Sequence, residues 1–255
     1  MDLANIDFES FEKSIKDALD AVAAHKQIAE QSAILIKPNL TTDSPHPITT
    51  SAECCEVLIE YIRKYSKADI IIAEGCGDVN CETDEIFKSL GYTAMAEKQG
   101  VPLVDLNYGP VKKLKNFDCP VFPEMYLPEI AFSHYIISVP VLKAHSLAGM
   151  TGSLKNMMGF AQPKYYSGRY GVWKKAVFHG KMQESVIDLN RYLVPNLSVM
   201  DCSIGIAEFH LGGAQCNPPV KRIIACYNPW EVDREAAALL GLDWNNIGHI
   251  AAGFR

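Results

Sequence analysis

Apolar positions along the chain change period several times, and each change marks an element. From Phe8 to Glu30 they recur at helical spacing (Phe11, Ile15, Ala18, Leu19, Val22) beside a Lys/Asp/Glu face, which predicts an amphipathic helix. SAILIK, residues 32–37, and ADIIIAEG, residues 68–75, are unbroken apolar runs of the kind that suits strands covered on both faces. Between them Ser51 caps a predicted helix through Tyr65, with Ala52, Val57, Leu58, Tyr61 and Ile62 turned inward. Strand, crossover helix and strand in that order imply a right-handed parallel unit. Short helices over 84–90 and 92–98 and a third strand, VPLVDL over 101–106, continue the pattern. Residues 112–122 are polar and read as an edge ribbon, and 126–132 read as a short helix.

The central strand is predicted from Tyr135 to Leu142, with Pro140 marking the point where regular pairing stops. The chain then turns abruptly polar. In KAHSLAGMTGSLKNMMG, residues 143–159, Thr151 or Ser153 is placed to cap a helix whose first turn carries Lys155 and Asn156. Free N–H groups at such a helix start favour an anion. Residues 163–180 mix Tyr165, Tyr166, Tyr170, Trp173 and Phe178 with Lys164, Arg169, Lys174 and Lys175, a composition that suits a lid. A helix from Met182 to Leu193 follows, then a strand from Leu197 to Met200, a long loop over 203–219, a last strand from Arg222 to Tyr227 and a helix from Pro229. On that last helix Asp233 sits in the first turn, where its charge suits the helix dipole. The expected fold is α/β, a mostly parallel sheet with helices on both faces. It forms either one domain over 1–255 or two closely packed lobes, 1–107 and 108–255, since no linker-like tract divides them.

Composition narrows the partners. With 48% hydrophobic and 21% charged residues, a chain of 255 residues can bury a large core. The formal net charge of −6 and a pI near 5.7 argue against nucleic acid, which needs a concentrated positive surface. A small anionic molecule stays compatible, because a local field can oppose the net charge. The first residues are charged throughout and lack the apolar core of a secretory leader, and no run reaches membrane-spanning length, so the expected location is the cytoplasm. Eight scattered cysteines, with no Cys-x-x-Cys pair or ferredoxin-type run, give no support for a zinc ribbon or an intrinsic iron–sulfur cluster. They read as buried thiols, with Cys76 and Cys81 flanking a turn as the redox or metal-binding alternative.

Candidate chemistry gathers at the strand ends, where open α/β sheets place ligands. Lys37, Asn39, Thr151, Lys155 and Asn156 are the expected ligand-binding residues, and Lys143, His145 and His179 the expected catalytic ones. A histidine titrates near neutrality and moves a proton without a large shift. Glu74, Asp201 and Glu208, with one or more histidines, are the set a divalent metal would use. The glycine-rich turn after Glu74 is neither a phosphate loop nor a dinucleotide fingerprint, because both spacings fail. The plain alternative treats these lysines as solvated strand ends and Asn39 as a turn former.

Taken together, Lys37-Pro38-Asn39, Lys143-x-His145, Thr151-Gly152-x-x-Lys155-Asn156-x-x-Gly159, His179, Asp201 before a glycine-rich loop and Asn228-Pro229-x-x-Val232-Asp233 resemble the family called domain of unknown function 362. The resemblance runs from about Ile34 to Gly253, and the Lys-x-His to Lys-Asn segment is its specific part. It implies a cytoplasmic prokaryotic α/β protein, often joined to a ferredoxin-like iron–sulfur module that this chain lacks. The chain departs from the pattern at Asn228, where Asp is usual, and in Glu208-Phe209-His210 before the Gly pair, so no family role is carried onto that loop. The family is similar at a distance to the nickel-dependent lactate racemase group, which uses a lysine-tethered pincer cofactor and histidines; too little of that pattern is present to transfer nickel or racemisation.

Two readings follow. In one, an enzyme clamps a small carboxylate or phosphate with Lys37, Lys143 and the helix start near Lys155, and His145 or His179 moves a proton. In the other, a non-catalytic binding or redox-accessory protein presents the same pocket to a ferredoxin-like partner. A recessed cavity favours the first and a flat patch the second.

Overall fold

A nine-stranded sheet draws its strands from both halves of the chain. The computed structural model describes residues 3–168 and 173–254. The strands are β1 (Leu3–Asp7), β2 (Ala33–Pro38), β3 (Asp69–Glu74), β4 (Leu103–Asp105), β5 (Val111–Lys115), β6 (Glu124–Pro128), β7 (Tyr135–Val139), β8 (Val141–His145), β9 (Gly149–Thr151), β10 (Leu197–Ile206) and β11 (Arg222–Cys226). Their order is β1-β11-β10-β7-β2-β3-β4, with β8 on β10 and β9 on β8, while β5 and β6 form a separate hairpin. From β10 across β7, β2 and β3 to β4 all pairs are parallel, and β1, β9 and β11 run antiparallel to their neighbours.

Side chains of period two split the core between the faces. Ile34 and Ile36 of β2, Ile137 and Val139 of β7, and Ile223 and Ala225 of β11 join Ile15, Leu58, Phe87 and Tyr92 from the helices Phe11–Ala21, Ala52–Tyr65, Thr83–Ser89 and Tyr92–Gln99. Leu35, Ile136 and Ile224 point the other way, against Leu154, Val186, Val232 and Ile250 from Ser153–Asn156, Met182–Tyr192, Pro229–Leu239 and Gly248–Ala251. The fold is therefore α/β, a mostly parallel sheet with helices on both faces. Each such fully buried aliphatic side chain contributes about 1.5–3 kcal/mol of gross hydrophobic stabilisation. Among the described residues no helix is long and apolar enough to cross a membrane.

Several elements depart from the sequence pattern. Strand β1 was not predicted: LANID is short and half polar, and it forms because β11 offers its free edge. The single helix expected over 8–30 is two. Ser10 caps the first by accepting a hydrogen bond from the Lys13 N–H, and Ala23, at φ 54°, turns the chain before Ala24–Ala29. Residues 124–128 are strand β6, with Met125 and Leu127 facing the core, and only Glu129–Phe132 is helical, as one 3-10 turn. At Pro140 pairing is handed over rather than ended. Its carbonyl accepts from the Asp201 N–H at 2.9 Å and β8 continues beside a β10 that runs ten residues, well past the expected end at Met200. Lys143 and His145 thus lie within β8 instead of beyond a strand. Of the expected lid, Arg169 and Tyr170 lie outside the described residues.

The chain leaves β2 toward β3 and β4 on one side, then returns to β7 and β10 on the other. Strand order reverses between β2 and β7, and the crevice past their carboxyl ends is where sheets of this type hold ligands.

Candidate functional site

That crevice holds a cavity of about 360 Å³. Lys37, Asn39, Glu74, Lys143, His145, Thr151, Lys155, Asn156 and His179 all line it, so eight expected ligand-binding or catalytic residues and one expected metal carboxylate share one space. Lys175 and His210, which were not singled out from sequence, line it too. Little in the sequence separates Lys175 from Lys174, whose ammonium turns away to Glu82 and Cys81.

The cavity wall rests on a buried ion pair. Lys37 Nζ lies 2.6 Å from Glu74 Oε1 and also donates to the Pro38 carbonyl and Asn156 Oδ1, while Glu74 accepts from the Leu40 and Gly75 N–H groups. Burial pushes the Lys37 pKa down, and the Glu74 charge opposes the shift. Asn156 ties β2 to β7, its Nδ2 donating to the Lys37 carbonyl and to Ser138 Oγ, each at 3.0 Å. Gly159 is explained by the same cluster, since a Cβ there would strike Glu74 Oε1 and the Lys37 Cε. These groups satisfy one another, so Lys37 and Asn156 shape the cavity more than they offer free donors to it.

The helix start does not serve an anion. Neither Thr151 nor Ser153 caps Ser153–Asn156; the N-cap is Gly152, and the Ser153 and Leu154 N–H groups donate to the two oxygens of Asp233, at 2.6 and 3.0 Å. Asp233 therefore caps a neighbouring helix and not its own, whose N-cap is Asn228 and whose first turn carries Glu231 with Asp233 just past it, and a Cβ at Gly152 would collide with it. Burial pushes the Asp233 carboxyl up to about 7, against the two N–H bonds that favour its charge.

Charge in the cavity is unbalanced. Lys143, Lys155 and Lys175 have no carboxylate within ion-pair distance among the described residues. Lys143 donates to the Ile48 carbonyl at 2.6 Å, and burial, then Lys155, lowers its pKa to about 7. Lys175 is saturated by Asn107 Oδ1 and the Gly159 and Ala161 carbonyls, which anchor its segment over the cavity; burial lowers it to about 7. Lys155 has no hydrogen-bond or ion-pair partner among the described residues, and burial lowers it to about 8. Asp78, the other carboxylate on the wall, accepts locally from the Asn80 N–H. Asn39 Oδ1, Thr151 Oγ1 and His210 Nδ1 are buried on this wall without partners, although such groups are normally paired.

The histidines have distinct states. His145 Nδ1 accepts from the Leu147 and Ala148 N–H groups at 3.1 and 3.2 Å, so a neutral ring carries its proton on Nε2. Burial, then Lys155, holds its pKa near about 2. His210 stacks on it with centroids 3.8 Å apart and is lowered to about 4, first by burial. His179 is lowered by burial and by Lys155.

The three carboxylates expected around a metal are not brought together. Glu74 is committed to Lys37 and two N–H groups, Glu208 is exposed, and Asp201 pairs with His46 at 2.8 Å while accepting from the Ser203 N–H. Among the described residues no three His, Cys, Asp or Glu side chains are grouped to hold a metal ion. The reason is topological: Asp201 sits midway along an unexpectedly long β10, and Glu208 falls on the loop beyond it.

Fold and cavity together define an α/β protein with a cation-rich pocket at the switch point of a mostly parallel sheet. The chain belongs to the family described as Domain of unknown function (DUF362), which matches residues 34–238. It is similar to the structure of the lactate racemase apoprotein from Thermoanaerobacterium thermosaccharolyticum, with a TM-score of 0.62 and 14% sequence identity. That likeness covers 94% of this chain and 56% of the other, so the chain spans little more than half of that protein's length and shares its fold. No curated protein matches the chain.

Proposed function

We propose that the cavity binds a small anion of the carboxylate or phosphate class and exchanges a proton with it. The observation that carries this reading is Lys155, an ammonium facing the cavity whose side chain has no partner among the described residues, beside a second under-compensated cation, Lys143. Two unbalanced positive charges in a desolvated recess attract an anion far more strongly than they would in water. Thr151 Oγ1 and the Nε2–H of His145 add neutral donors. His145 has no free lone pair on its neutral ring, so it donates and does not act as a base. Neutral His179 is then the group that takes a proton from an O–H of the ligand or from a C–H next to its carboxylate; the electron pair stays on the O–H oxygen or spreads from carbon onto the carboxylate oxygen, and that oxygen is met by Lys143, Lys155 and the His145 N–H. Return of the proton to the ligand completes the exchange.

Calorimetric titration with malonate and with inorganic phosphate tests the binding. Wild type is expected to bind at least one of them, and Lys155→Met to weaken that binding by at least about tenfold with a melting temperature that is held or raised, since the buried ammonium is itself a cost to the fold. Absence of binding by wild type, or equal affinity in the variant, overturns the proposal.

A further inference from the structure

The mouth of the cavity carries apolar side chains that the anion reading does not use. Leu147, Trp173 and Phe209 are 53%, 48% and 46% exposed, yet all three line the cavity. They come from separate segments: the turn between β8 and β9, the stretch before the helical turn Ala176–Lys181, and the loop between β10 and β11. Exposed large apolar residues scattered singly need no explanation, but three converging on one polar recess do. Each aromatic at the mouth also touches an imidazole inside. Phe209 lies 4.8 Å from His210, which stacks on His145, and Trp173 meets His179 edge to face at 6.5 Å. Rings thus run in contact from solvent to the cationic floor.

We infer that the ligand is an amphiphilic anion: a carboxylate or phosphate head seated at Lys143 and Lys155, joined to an aromatic or branched aliphatic body that Leu147, Trp173 and Phe209 enclose. A bare small anion would leave this collar wetted. A ring reaching outward from the floor would cover it and add to the run of ring contacts from Phe209 through His210 to His145. The inference rests on the anion reading and sharpens it by naming the class of molecule.

Paired titrations separate the two. Phenyl phosphate is compared with inorganic phosphate, and 3-phenylpropionate with acetate, in wild type, Phe209→Ala, Trp173→Ala and Lys155→Met. Burial of a ring is expected to tighten binding by about tenfold or more in wild type. Phe209→Ala and Trp173→Ala are expected to remove most of that increment, whereas Lys155→Met weakens both members of each pair in parallel. If the smaller anions bind in a Lys155-dependent way but the rings add nothing, or if the alanine variants keep the increment, the collar belongs to a protein surface or to none and this inference fails while the anion reading stands. If no probe binds wild type, both fail.

Discussion

Lys37 Nζ and Glu74 Oε1 stand 2.6 Å apart with their side chains 1% and 3% exposed, at the carboxyl ends of two adjacent parallel strands. Two charges this deep are tolerated because each is also hydrogen-bonded: Lys37 to a carbonyl and an amide oxygen, Glu74 to two N–H groups. Glu74→Gln leaves the ammonium without a counter-charge, and a loss of roughly 3–5 kcal/mol is expected in urea denaturation. Lys37→Met combined with Glu74→Leu is expected to recover most of it; failure to recover would mean that the cost lies in the lost backbone contacts.

Gly159→Ala drives a methyl group into that pair. Overpacking at a well-filled site costs about 1–3 kcal/mol. Since the displaced groups form the cavity wall, the variant is expected to lose malonate affinity as well as thermal stability. Unchanged melting and binding would show that the pair can move aside.

Lys143→Ala is expected to cost at least about tenfold in malonate affinity with little change in melting temperature, because it removes a desolvated ammonium held by one carbonyl. Substantial unfolding would identify Lys143 as a strut for the loop at Ile48.

Stability should rise with pH above neutrality. Lys143 and Lys175 fall from 10.5 to about 7 and Lys155 to about 8, so between those values and 10.5 the unfolded chain binds more protons than the folded one. His145, His210 and His249, lowered from 6.5 to about 2, 4 and 3, act in the same direction up to pH 6.5. Asp233, raised from 3.8 to about 7, opposes them between those two values. A melting temperature at pH 9 above that at pH 7 by about 3 °C or more is expected. A maximum at pH 6 would mean that these lysines stay charged.

Ligand affinity should run the other way. As Lys143 and Lys155 release protons above pH 7 to 8 the attraction for an anion fades, so malonate association is expected to weaken between pH 6.5 and 9. Titration in buffers of different ionisation heat should show proton uptake on binding near pH 7.5. A flat profile would take these two cations out of the binding step.

Much of this arrangement was legible in the residues. Ile34 to Ile36 and Ile70 to Ile72 declare buried parallel strands, and the polar groups immediately after or within such runs could converge only at one end of the sheet. What sequence could not show is which polar groups consume one another. Lys37 and Lys155 look alike as letters, but Lys37 meets a carboxylate on the next strand and Lys155 meets none among the described residues. Asp233 was expected to serve the dipole of its own helix, but the helix starts at Pro229 and leaves it past the first turn, and its actual task, capping residues 153 and 154, depends on a contact 80 residues away. The expected metal set failed for a similar reason: β10 ran on beyond Met200, pairing with β8, and Asp201 found His46.

Strand β1 pairs with β11 alone, 215 or more residues away along the polypeptide. During synthesis β1 must wait, edge bare, until residues 222–226 have left the ribosome. Its register can be set only once β11 is there to pair with, and closure of that edge should be a slow, aggregation-exposed step in reaching the native state.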